Sequence, residues 1–594
     1  MLTTFTAPAF AKTWDIEKGD ITVKAGEAEG PNKVKQGDSD FVKDEGDTII
    51  TGTSDKNTVT IEAENKGDKV EVTLKDVNIE ATGGKAAVSV TGSGNTTIEL
   101  DGDNELKSGA GHAGLEHNKT DTSGELTIQD KDKNGSLEAA GGFKGAGIGS
   151  AGSNDAQVKI TGGNITATSD DWGAGIGSGS YGTGTVEITG GEINATGGYL
   201  GAGIGGGCNG SGNVTISGGT ITAAGGDGAA GIGGGYYNGA TVTITGDAVI
   251  KNASTTVYGA GIGGGNGYDG DVTISGNAKI ENATGGYGAA GIGGGAFSSP
   301  DKIGNGNVVI KDNAKIDNVQ GGAYGAGIGG GIYGLSNVTI EGNTKVNATG
   351  GAGGAAIGGG AGAENNSDNN GNQITIKSNE NGSPTINAVG GGTDEGEEIV
   401  IGGAGIGAGC ESDADADITL EGKVTITATA GKDNVAIGAN GIEQEFSGLA
   451  EGSSITRYDS EGNDTSLPGD KVPVTPVVPD DTSSGGSADA SVQESVFPGL
   501  VVTDKDGQRI SYTSIRGNNV LSLRVGRFTA SLHASLATLR QLRAEGIDTI
   551  TFQTILCSTT LSVDELLAMG GEDTEVVLTH HIRSSTLTVG GKAV

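Results

Sequence analysis

Aromatic residues recur at fixed places beside a repeated pentapeptide, Gly-Ala-Gly-Ile-Gly, and their rings could stack on sugar rings. The predicted sugar-binding set is Trp172, Tyr181, Tyr199, Tyr236, Tyr258, Tyr268, Tyr287, Tyr324 and Tyr333. Phe143, Tyr237 and Phe297 occupy similar places. Exposed rings stack on apolar ring faces, and nearby Asn, Asp and Ser side chains can hydrogen-bond hydroxyl groups. The alternative is a ladder of rings that only covers a turn.

Two acidic segments have the residue types that bind calcium, which prefers oxygen ligands. Asp130, Asp132 and Asn134 repeat the spacing at the start of an EF-hand loop, although the twelfth position is Gly141 rather than Glu. The other segment places Asp413, Asp415 and Asp417 at alternating positions. We expect calcium at one or both segments. The alternative is that both are acidic surface loops.

Residues suited to polysaccharide cleavage are sparse. All eight arginines lie at position 457 or later, so the repeats have none to neutralise an acidic sugar for a lyase. A glycosidase needs two carboxylates across the scissile bond. Asp170, Asp171 and Asp227 precede glycine-rich repeats, and the sequence favours solvated carboxylates in turns at these positions. We therefore predict no catalytic residue and no enzyme, with a lyase or glycosidase kept as the alternative.

The composition excludes several classes of partner. The chain has 594 residues, 117 of them glycine, and a formal charge of −37. That charge disfavours nucleic acid and anionic lipid, which both require basic surfaces. The sequence contains no run of about 18 apolar residues that could cross a membrane as a helix. Its three cysteines are far apart and predict neither a disulfide framework nor a zinc site.

The elements that must position these residues follow from the repeat. The pentapeptide's isoleucine recurs at 148, 176, 204, 232, 262, 292, 328, 357, 406 and 437, with 28 residues between the first neighbours. One unit, 201–226, contains three short extended pieces bounded by Gly, Asn and Ser. No unit can close its own core, so stacked units must share one. The pattern predicts an all-β, right-handed parallel β-helix with three short strands per coil of about 28 residues.

The ends of the chain differ from the repeats. Residues 1–11 resemble the remnant of a signal peptide, 12–84 an N-terminal cap with the first coils, and 85–450 the β-helix repeats. Residues 451–495 are predicted as a linker rich in Pro, Ser and Gly. Residues 496–594 are predicted as a small α+β module with a helix over Ser531–Glu545.

A resemblance rests on three stretches: Trp14-Asp15-Ile16, Asp101 to Gly109, and the repeated Gly-Ala-Gly-Ile-Gly-Gly-Gly units. Over about residues 14–445 the chain resembles glycine-rich repeat proteins on bacterial surfaces that are described as carbohydrate-binding-domain proteins. These are similar to secreted, calcium-containing, pectate-lyase-like β-helices that bind polysaccharide. The resemblance implies a secreted or cell-surface location and association with a cell wall. It transfers no ligand or catalytic residue to this chain.

These observations favour a secreted or cell-surface protein that binds polysaccharide, or adheres to it, through an extended repetitive face. Repetition of weak contacts would supply the affinity. Two other hypotheses stay open: a polysaccharide-active enzyme, and a structural stalk that binds nothing.

Overall fold

The structure is a computed structural model. It describes residues 12–27, 30–296, 302–365, 371–392, 401–473, 499–505, 507–510, 512–517, 519–525, 527, 529–554, 557–571, 574–581 and 584–593. The predicted signal-peptide remnant and Phe297 lie outside these residues, as does the linker from 474 onward. The chain divides into two units, one up to residue 477 and one beyond it, and each is described by itself.

The first unit is a parallel β-solenoid of about 15 turns. Each regular coil contributes a strand to each of three rows. The first-row strands are Leu115–Lys119, Ile148–Gly149, Ile176–Gly177, Ile204–Gly205, Ile232–Gly233, Ile262–Gly263, Ile292–Gly293, Ile328–Gly329, Ile357–Gly358, Ile406–Gly407 and Ile437–Ala439. These strands pair in parallel: Leu115 lies opposite Ile148, and from Ile148 onward isoleucine lies opposite isoleucine. The parallel β-helix prediction is confirmed.

Longer strands form the other two rows. The second row comprises Leu126–Gln129, Asp155–Ile160, Gly184–Ile188, Gly212–Ile216, Ala240–Ile244, Gly270–Ile274, Gly306–Ile310, Ser336–Glu341, Asn372–Lys377 and Ala416–Glu421. The third comprises Gly135–Gly141, Asn164–Ser169, Glu192–Thr196, Thr220–Gly225, Val249–Thr255, Lys279–Ile280, Ala283–Thr284, Lys315–Gln320, Lys345–Thr349, Thr385–Val389, Thr425–Thr429 and Ser454–Tyr458. Alternate residues point inward, so that Val214, Ile216 and Ile221 are buried beside Ile204.

A two-residue first-row strand requires glycine after its isoleucine. Gly205 has φ 131°, and a Cβ atom there would lie 2.1 Å from the carbonyl oxygen of Gly233 in the next coil. Side chains cannot occupy that space, so the backbones of neighbouring coils approach closely. The isoleucines of this row then fill one continuous core, in which Ile204 and Ile232 are fully buried.

The N-terminal end is closed by irregular coils. Its strands are Lys12–Asp15, Ile21–Lys24, Lys33–Gln36, Val42–Lys43, Thr48–Ser54, Val59–Ala63, Lys69–Glu80, Val88–Gly92 and Asn95–Lys107, with a 3-10 helix at Ile16–Lys18. Ile21–Lys24, Lys33–Gln36 and Val42–Lys43 pair antiparallel. The buried Trp14 indole donates a hydrogen bond to Asp44 at 2.7 Å. These antiparallel pairs cover the end of the solenoid, which would otherwise expose unpaired strand edges.

The linker prediction is wrong at its start, because the solenoid continues past residue 450. Ser454–Tyr458 pairs in parallel with Thr425–Thr429 and so forms part of a further coil. Its Arg457 is fully buried and forms a bidentate ion pair with Asp470 at 2.8 and 3.1 Å, and its guanidinium also contacts Glu443. A hairpin of Ile437–Ala439 with Ile442–Glu443 completes this end. Residues 451–473 therefore cap the solenoid.

The second unit has two small sheets and two helices in its described residues. One sheet comprises Leu500–Thr503, Ala530–Ser535, Glu575–His580, Ser585–Val589 and Lys592–Ala593. The other comprises Thr513–Gly517, Val520–Arg524, Thr549–Gln553 and Ser558–Ser562. The helices are Leu536–Ala544 and Val563–Leu567. The predicted helix over Ser531–Glu545 is wrong in its first third, since Ala530–Ser535 is a strand and Ser535 caps the helix.

Candidate functional site

Two tight turns flank each first-row strand, and the coil around Ile328 shows them clearly. In the first turn, residues 322–325, the Gly325 N–H donates to the carbonyl of Gly322 at 2.8 Å. In the second turn, residues 331–334, the Gly334 N–H donates to the carbonyl of Gly331 at 2.7 Å. Between them the chain folds back on itself around the buried isoleucine. Small residues are needed because the chain segments before and after the isoleucine lie in contact: the Ala326 N–H donates to the Gly330 carbonyl at 3.0 Å.

The two rows of turns lie side by side along the solenoid. The backbone N–H near the tip of a second turn donates to the carbonyl at the tip of the first turn in the preceding coil. These pairs are Ser180 to Lys144 (2.9 Å), Cys208 to Trp172 (2.7 Å), Tyr236 to Leu200 (3.1 Å), Asn266 to Gly228 (2.8 Å), Ala296 to Tyr258 (2.7 Å), Ile332 to Gly288 (2.6 Å) and Ala361 to Tyr324 (2.8 Å). The paired rows form one surface, which we call the aromatic turn face. It comprises the described first and second turns of the coils from Ile148 to Ile357.

Several aromatic residues of this face occupy strained backbone positions. Tyr258 and Tyr324 stand at first-turn tips with φ of 62° and 74°. Tyr181, Tyr237 and Tyr333 stand at second-turn tips with φ of 66°, 60° and 62°. Other coils place glycine at the same tips, namely Gly228, Gly288 and Gly353 in first turns and Gly267 and Gly362 in second turns, all with positive φ. A bulky residue is unfavourable in this left-handed region by about 1 kcal/mol.

The aromatic rings of neighbouring coils touch each other. Phe143 and Trp172 have ring centroids 5.2 Å apart, and Tyr287 lies 6.2 Å from Tyr258 and 5.5 Å from Tyr324 in edge-to-face geometry. Tyr181 and Tyr199 are 58% exposed, Tyr287 47%, Tyr333 43%, and Tyr237 and Tyr258 40%. Trp172, Tyr236 and Tyr324 are half-buried. These contacts leave large ring areas facing solvent along the solenoid.

Glycine also makes room for some rings. A Cβ atom at Gly228 would lie 2.3 Å from Cδ2 of Tyr236, and one at Gly362 would lie 2.6 Å from Cε1 of Tyr333. These rings therefore lie against glycine tips of the same or the next coil. Burial raises the pKa of Tyr236 above its usual range. Tyr236 is consequently a neutral phenol that can both donate and accept a hydrogen bond.

Tyr268 has a different setting from the other predicted residues. It follows its second-turn tip by one residue, and the Lys302 ammonium donates to its hydroxyl at 2.7 Å while lying 4.5 Å from its ring centroid. Both residues line a groove of about 700 Å³ together with Asn213, Thr241 and Asp271 of the second row. The structure thus brings eight of the nine predicted rings onto the turn tips or beside them, with Tyr268 at the adjoining groove.

The predicted calcium ligands do not converge. Asp130 accepts hydrogen bonds from the backbone N–H groups of Asn134 and Gly135 at 3.2 and 3.1 Å, which closes its own loop. Asp413, Asp415 and Asp417 are all exposed on alternating positions. Among the residues that the structure describes, no group of three or more His, Cys, Asp or Glu side chains is gathered as metal ligands. Calcium binding stays a prediction.

The acidic residues considered for catalysis lie in turns. Asp170 is exposed and Asp171 half-exposed in the first turn before Ile176. Asp227, in the first turn two coils later, accepts a hydrogen bond from the Thr256 hydroxyl at 2.9 Å. They belong to the same surface as the rings and contribute hydrogen-bond acceptors to it.

Sequence reasoning missed three polar residues of the face. Lys144 has its ammonium above the Phe143 and Trp172 rings. Ser180 and Asn266 each bury a side-chain oxygen that has no hydrogen-bond partner. Their position in the repeat could have identified them. Ser180 and Asn266 both follow the isoleucine of their coil by four residues, and Lys144 precedes the isoleucine of its coil by four.

Comparison with known proteins supports the solenoid fold. A family model described as a beta helix repeat matches residues 158–180, 186–208, 214–236 and 272–296. Each match begins at the inward valine of a second-row strand and includes the third-row strand, the first turn and the isoleucine. No curated protein and no solved structure matches the chain. Among the described residues, no helix is both long and apolar enough to cross a membrane.

Proposed function

We propose that this chain of β-helix repeats binds polysaccharide or other glycans at the aromatic turn face, and that it does so outside the cell or on a bacterial cell surface. The fold is consistent with this proposal because parallel β-helices present long regular surfaces. The composition agrees with it, since a net charge of −37 disfavours nucleic acids and anionic lipids. Calcium, if bound, belongs to the proposal as a structural ion.

The observation that carries the proposal is the placement of tyrosine at strained turn tips. Five tips hold tyrosine with positive φ where other coils of the same solenoid hold glycine. Glycine would relieve about 1 kcal/mol of backbone strain at each tip. The Tyr181 ring is 58% exposed and contributes little to the core, so the fold does not require it. Strain retained at exposed positions favours a role in binding.

The spacing of the rings suits an extended sugar chain. Successive coils rise by about 4.8 Å, which is comparable to the length of one sugar residue in an extended polysaccharide. Rings in neighbouring coils can therefore meet neighbouring sugars, and Asp171, Asp227 and the turn hydroxyls can hydrogen-bond their hydroxyl groups. Each contact is weak, but simultaneous contacts on one chain raise the overall affinity strongly.

Retention of the full chain on insoluble polysaccharides, and its binding to a glycan array, test the proposal. We expect retention that falls at least about tenfold in the double variant Trp172→Ala with Tyr258→Ala. Phe41→Ala is the matched control, because Phe41 is as exposed as Tyr258 but lies in the N-terminal cap. Parallel assays with calcium and with a chelator separate the contribution of any bound ion.

Two outcomes would overturn the proposal. If no glycan retains the wild-type chain, or if Phe41→Ala and the double variant behave alike, the solenoid acts as a stalk. If new reducing ends or unsaturated products accumulate, the chain is an enzyme. Changing Asp171 and Asp227 to Asn then shows which carboxylate the cleavage requires.

A further inference from the structure

Lys144 is a cationic residue on the aromatic turn face. It stands at the first-turn tip before Ile148 with φ 71°, the same strained position that Tyr258 and Tyr324 occupy four and six coils further along the solenoid. A lysine tolerates this backbone no better than a tyrosine does. Its presence at a strained tip therefore calls for the same kind of explanation.

The side chain of Lys144 is held over aromatic rings. Its Nζ atom lies 5.0 Å from the ring centroid of Trp172 and 5.3 Å from that of Phe143. The two rings are 5.2 Å apart and tilted by 47°. Among the described residues no carboxylate forms an ion pair with this ammonium. Lys144 is half-buried, so that water screens its charge less than it would screen a fully exposed lysine.

A buried hydroxyl group lies beside this lysine. Ser180, in the next coil, donates its backbone N–H to the carbonyl of Lys144 at 2.9 Å, and its Oγ is buried without a hydrogen-bond partner. Gly152 lies between the two, and a Cβ atom there would be 3.1 Å from Cβ of Lys144 and 3.5 Å from Oγ of Ser180. A buried hydroxyl without a hydrogen-bond partner is unfavourable unless a bound molecule supplies that partner at times. We call Lys144, Phe143, Trp172, Gly152 and Ser180 the lysine niche.

We infer that the lysine niche is an anionic subsite that binds a sugar bearing a carboxylate, of the uronic-acid or sialic-acid type. The inference rests on the proposed function, since the rest of the glycan would lie on the neighbouring rings. The Lys144 ammonium pairs with the carboxylate, and Phe143 or Trp172 stacks on the sugar ring. In the proposed complex the Ser180 hydroxyl, which is buried and has no partner in the free chain, hydrogen-bonds a sugar oxygen once the lysine side chain extends toward the ligand.

The charge distribution limits which acidic glycans fit. The chain as a whole carries −37, so a polymer with a carboxylate on every sugar would be repelled. The lysine niche holds one ammonium, which accommodates one carboxylate. The subsite therefore fits a glycan whose acidic sugars are isolated or terminal.

The test compares matched acidic and neutral probes on the full chain. One pair is an oligosaccharide with a terminal glucuronate and the same oligosaccharide with terminal glucose; the other is sialyllactose and lactose. We expect wild type to prefer the acidic member of at least one pair by about fivefold at low salt, as an incompletely screened ion pair provides, and less at high salt. The two pairs distinguish a uronate from a sialate.

Four variants connect that preference to the niche. Lys144→Gln removes the charge and should abolish the preference, whereas Lys144→Arg should keep it. Lys345→Gln, an exposed lysine on a third-row strand, is the control and should change nothing. Ser180→Ala should weaken binding of the acidic probe while leaving the unfolding temperature unchanged or higher, because it removes an unpartnered buried hydroxyl.

The outcomes separate this inference from the proposed function. If the neutral oligosaccharides bind but wild type shows no acidic preference, or Lys144→Gln keeps that preference, the niche only stabilises its turn. The proposed function then stands and the inference fails. If neither member of a pair binds and glycan arrays are also negative, both fail together.

Discussion

The backbone N–H of Cys208 donates a hydrogen bond to the carbonyl oxygen of Trp172 at 2.7 Å, which joins the second turn of one coil to the first turn of the coil before it. Equivalent bonds recur along the solenoid. They make two separate rows of turns into one surface, and they hold the tips at a fixed spacing. Side chains at these tips therefore act as an array rather than as independent loops.

Tyr237→Gly should separate stability from binding. Tyr237 has φ 60° and is 40% exposed, so glycine relieves strain without opening the core. We expect the free energy of unfolding to stay within about 1 kcal/mol of wild type, since relief of strain offsets the greater freedom of the unfolded chain. Retention on polysaccharide should fall. Tyr237→Ala loses the same ring but keeps the strain, so it should be less stable than Tyr237→Gly.

Gly205→Ala should destabilise the solenoid by about 3 kcal/mol. Its Cβ atom would lie 2.1 Å from the Gly233 carbonyl oxygen at a φ of 131°. Denaturant unfolding measures the change. Gly67→Ala is the control, because nothing lies within 4 Å of the added atom, and it should alter stability by less than about 0.5 kcal/mol. Equal effects of the two substitutions would contradict the close stacking of first-row strands.

Arg457→Met should loosen the C-terminal end of the solenoid. The substitution leaves Asp470, which is only 3% exposed, as a buried charge without its partner. Breaking such a pair destabilises by about 3–5 kcal/mol. Hydrogen exchange at Ser454–Tyr458 should then accelerate, while exchange at Ile204–Gly205 stays slow. The double variant with Asp470→Leu should recover part of the loss, and failure to recover any would mean that the arginine acts through packing alone.

The N-terminal coils should become less stable in mild acid through His117. This imidazole is 2% exposed, and burial lowers its pKa despite a contact of 3.1 Å between Nδ1 and the Gln157 carbonyl oxygen. The folded state therefore keeps it neutral, while the unfolded chain takes up a proton near pH 6.5. The resulting stability is present above that pH and is lost as the pH falls toward the lower folded pKa. Hydrogen exchange at Leu115–Lys119 between pH 7 and pH 5 measures this loss.

His117→Gln provides the comparison for that experiment. Glutamine cannot titrate, so the variant's exchange at Leu115–Lys119 should lose this contribution to its pH dependence. An unchanged pH dependence would assign the effect to other groups.

The solenoid could be predicted from the sequence because the recurring isoleucine shows which residues of neighbouring coils lie opposite each other. Isoleucine recurs at intervals that are mostly 28 to 31 residues, and the structure pairs Ile176 with Ile204 and Ile204 with Ile232. The contact between first and second turns could not be predicted from the sequence. The hydrogen bond from Cys208 to Trp172 connects residues of different coils, and their residue types give no sign that they pair. The strained φ angles of Tyr181 and Tyr258 were equally hidden, although glycine at the matching positions of other coils was a usable signal.

Two errors have the same physical origin. Leu532 fits the helical spacing of Leu536, Leu539 and Leu542, but pairing of Ala530–Ser535 with Glu575–His580 places it in a sheet. Arg457 stands in a segment of linker-like composition, yet Asp470 makes it the centre of a cap. In both cases contacts distant in sequence override a local pattern.

The most direct measurement is equilibrium binding of polysaccharides to the full chain and to a variant with glycine at all five strained tips, Tyr181, Tyr237, Tyr258, Tyr324 and Tyr333. We expect wild type to bind at least one glycan, and the variant to unfold at a similar temperature while binding at least about a hundredfold more weakly. Undiminished binding by a folded variant, or the absence of binding by wild type to every glycan offered, would contradict a role for this face in sugar recognition.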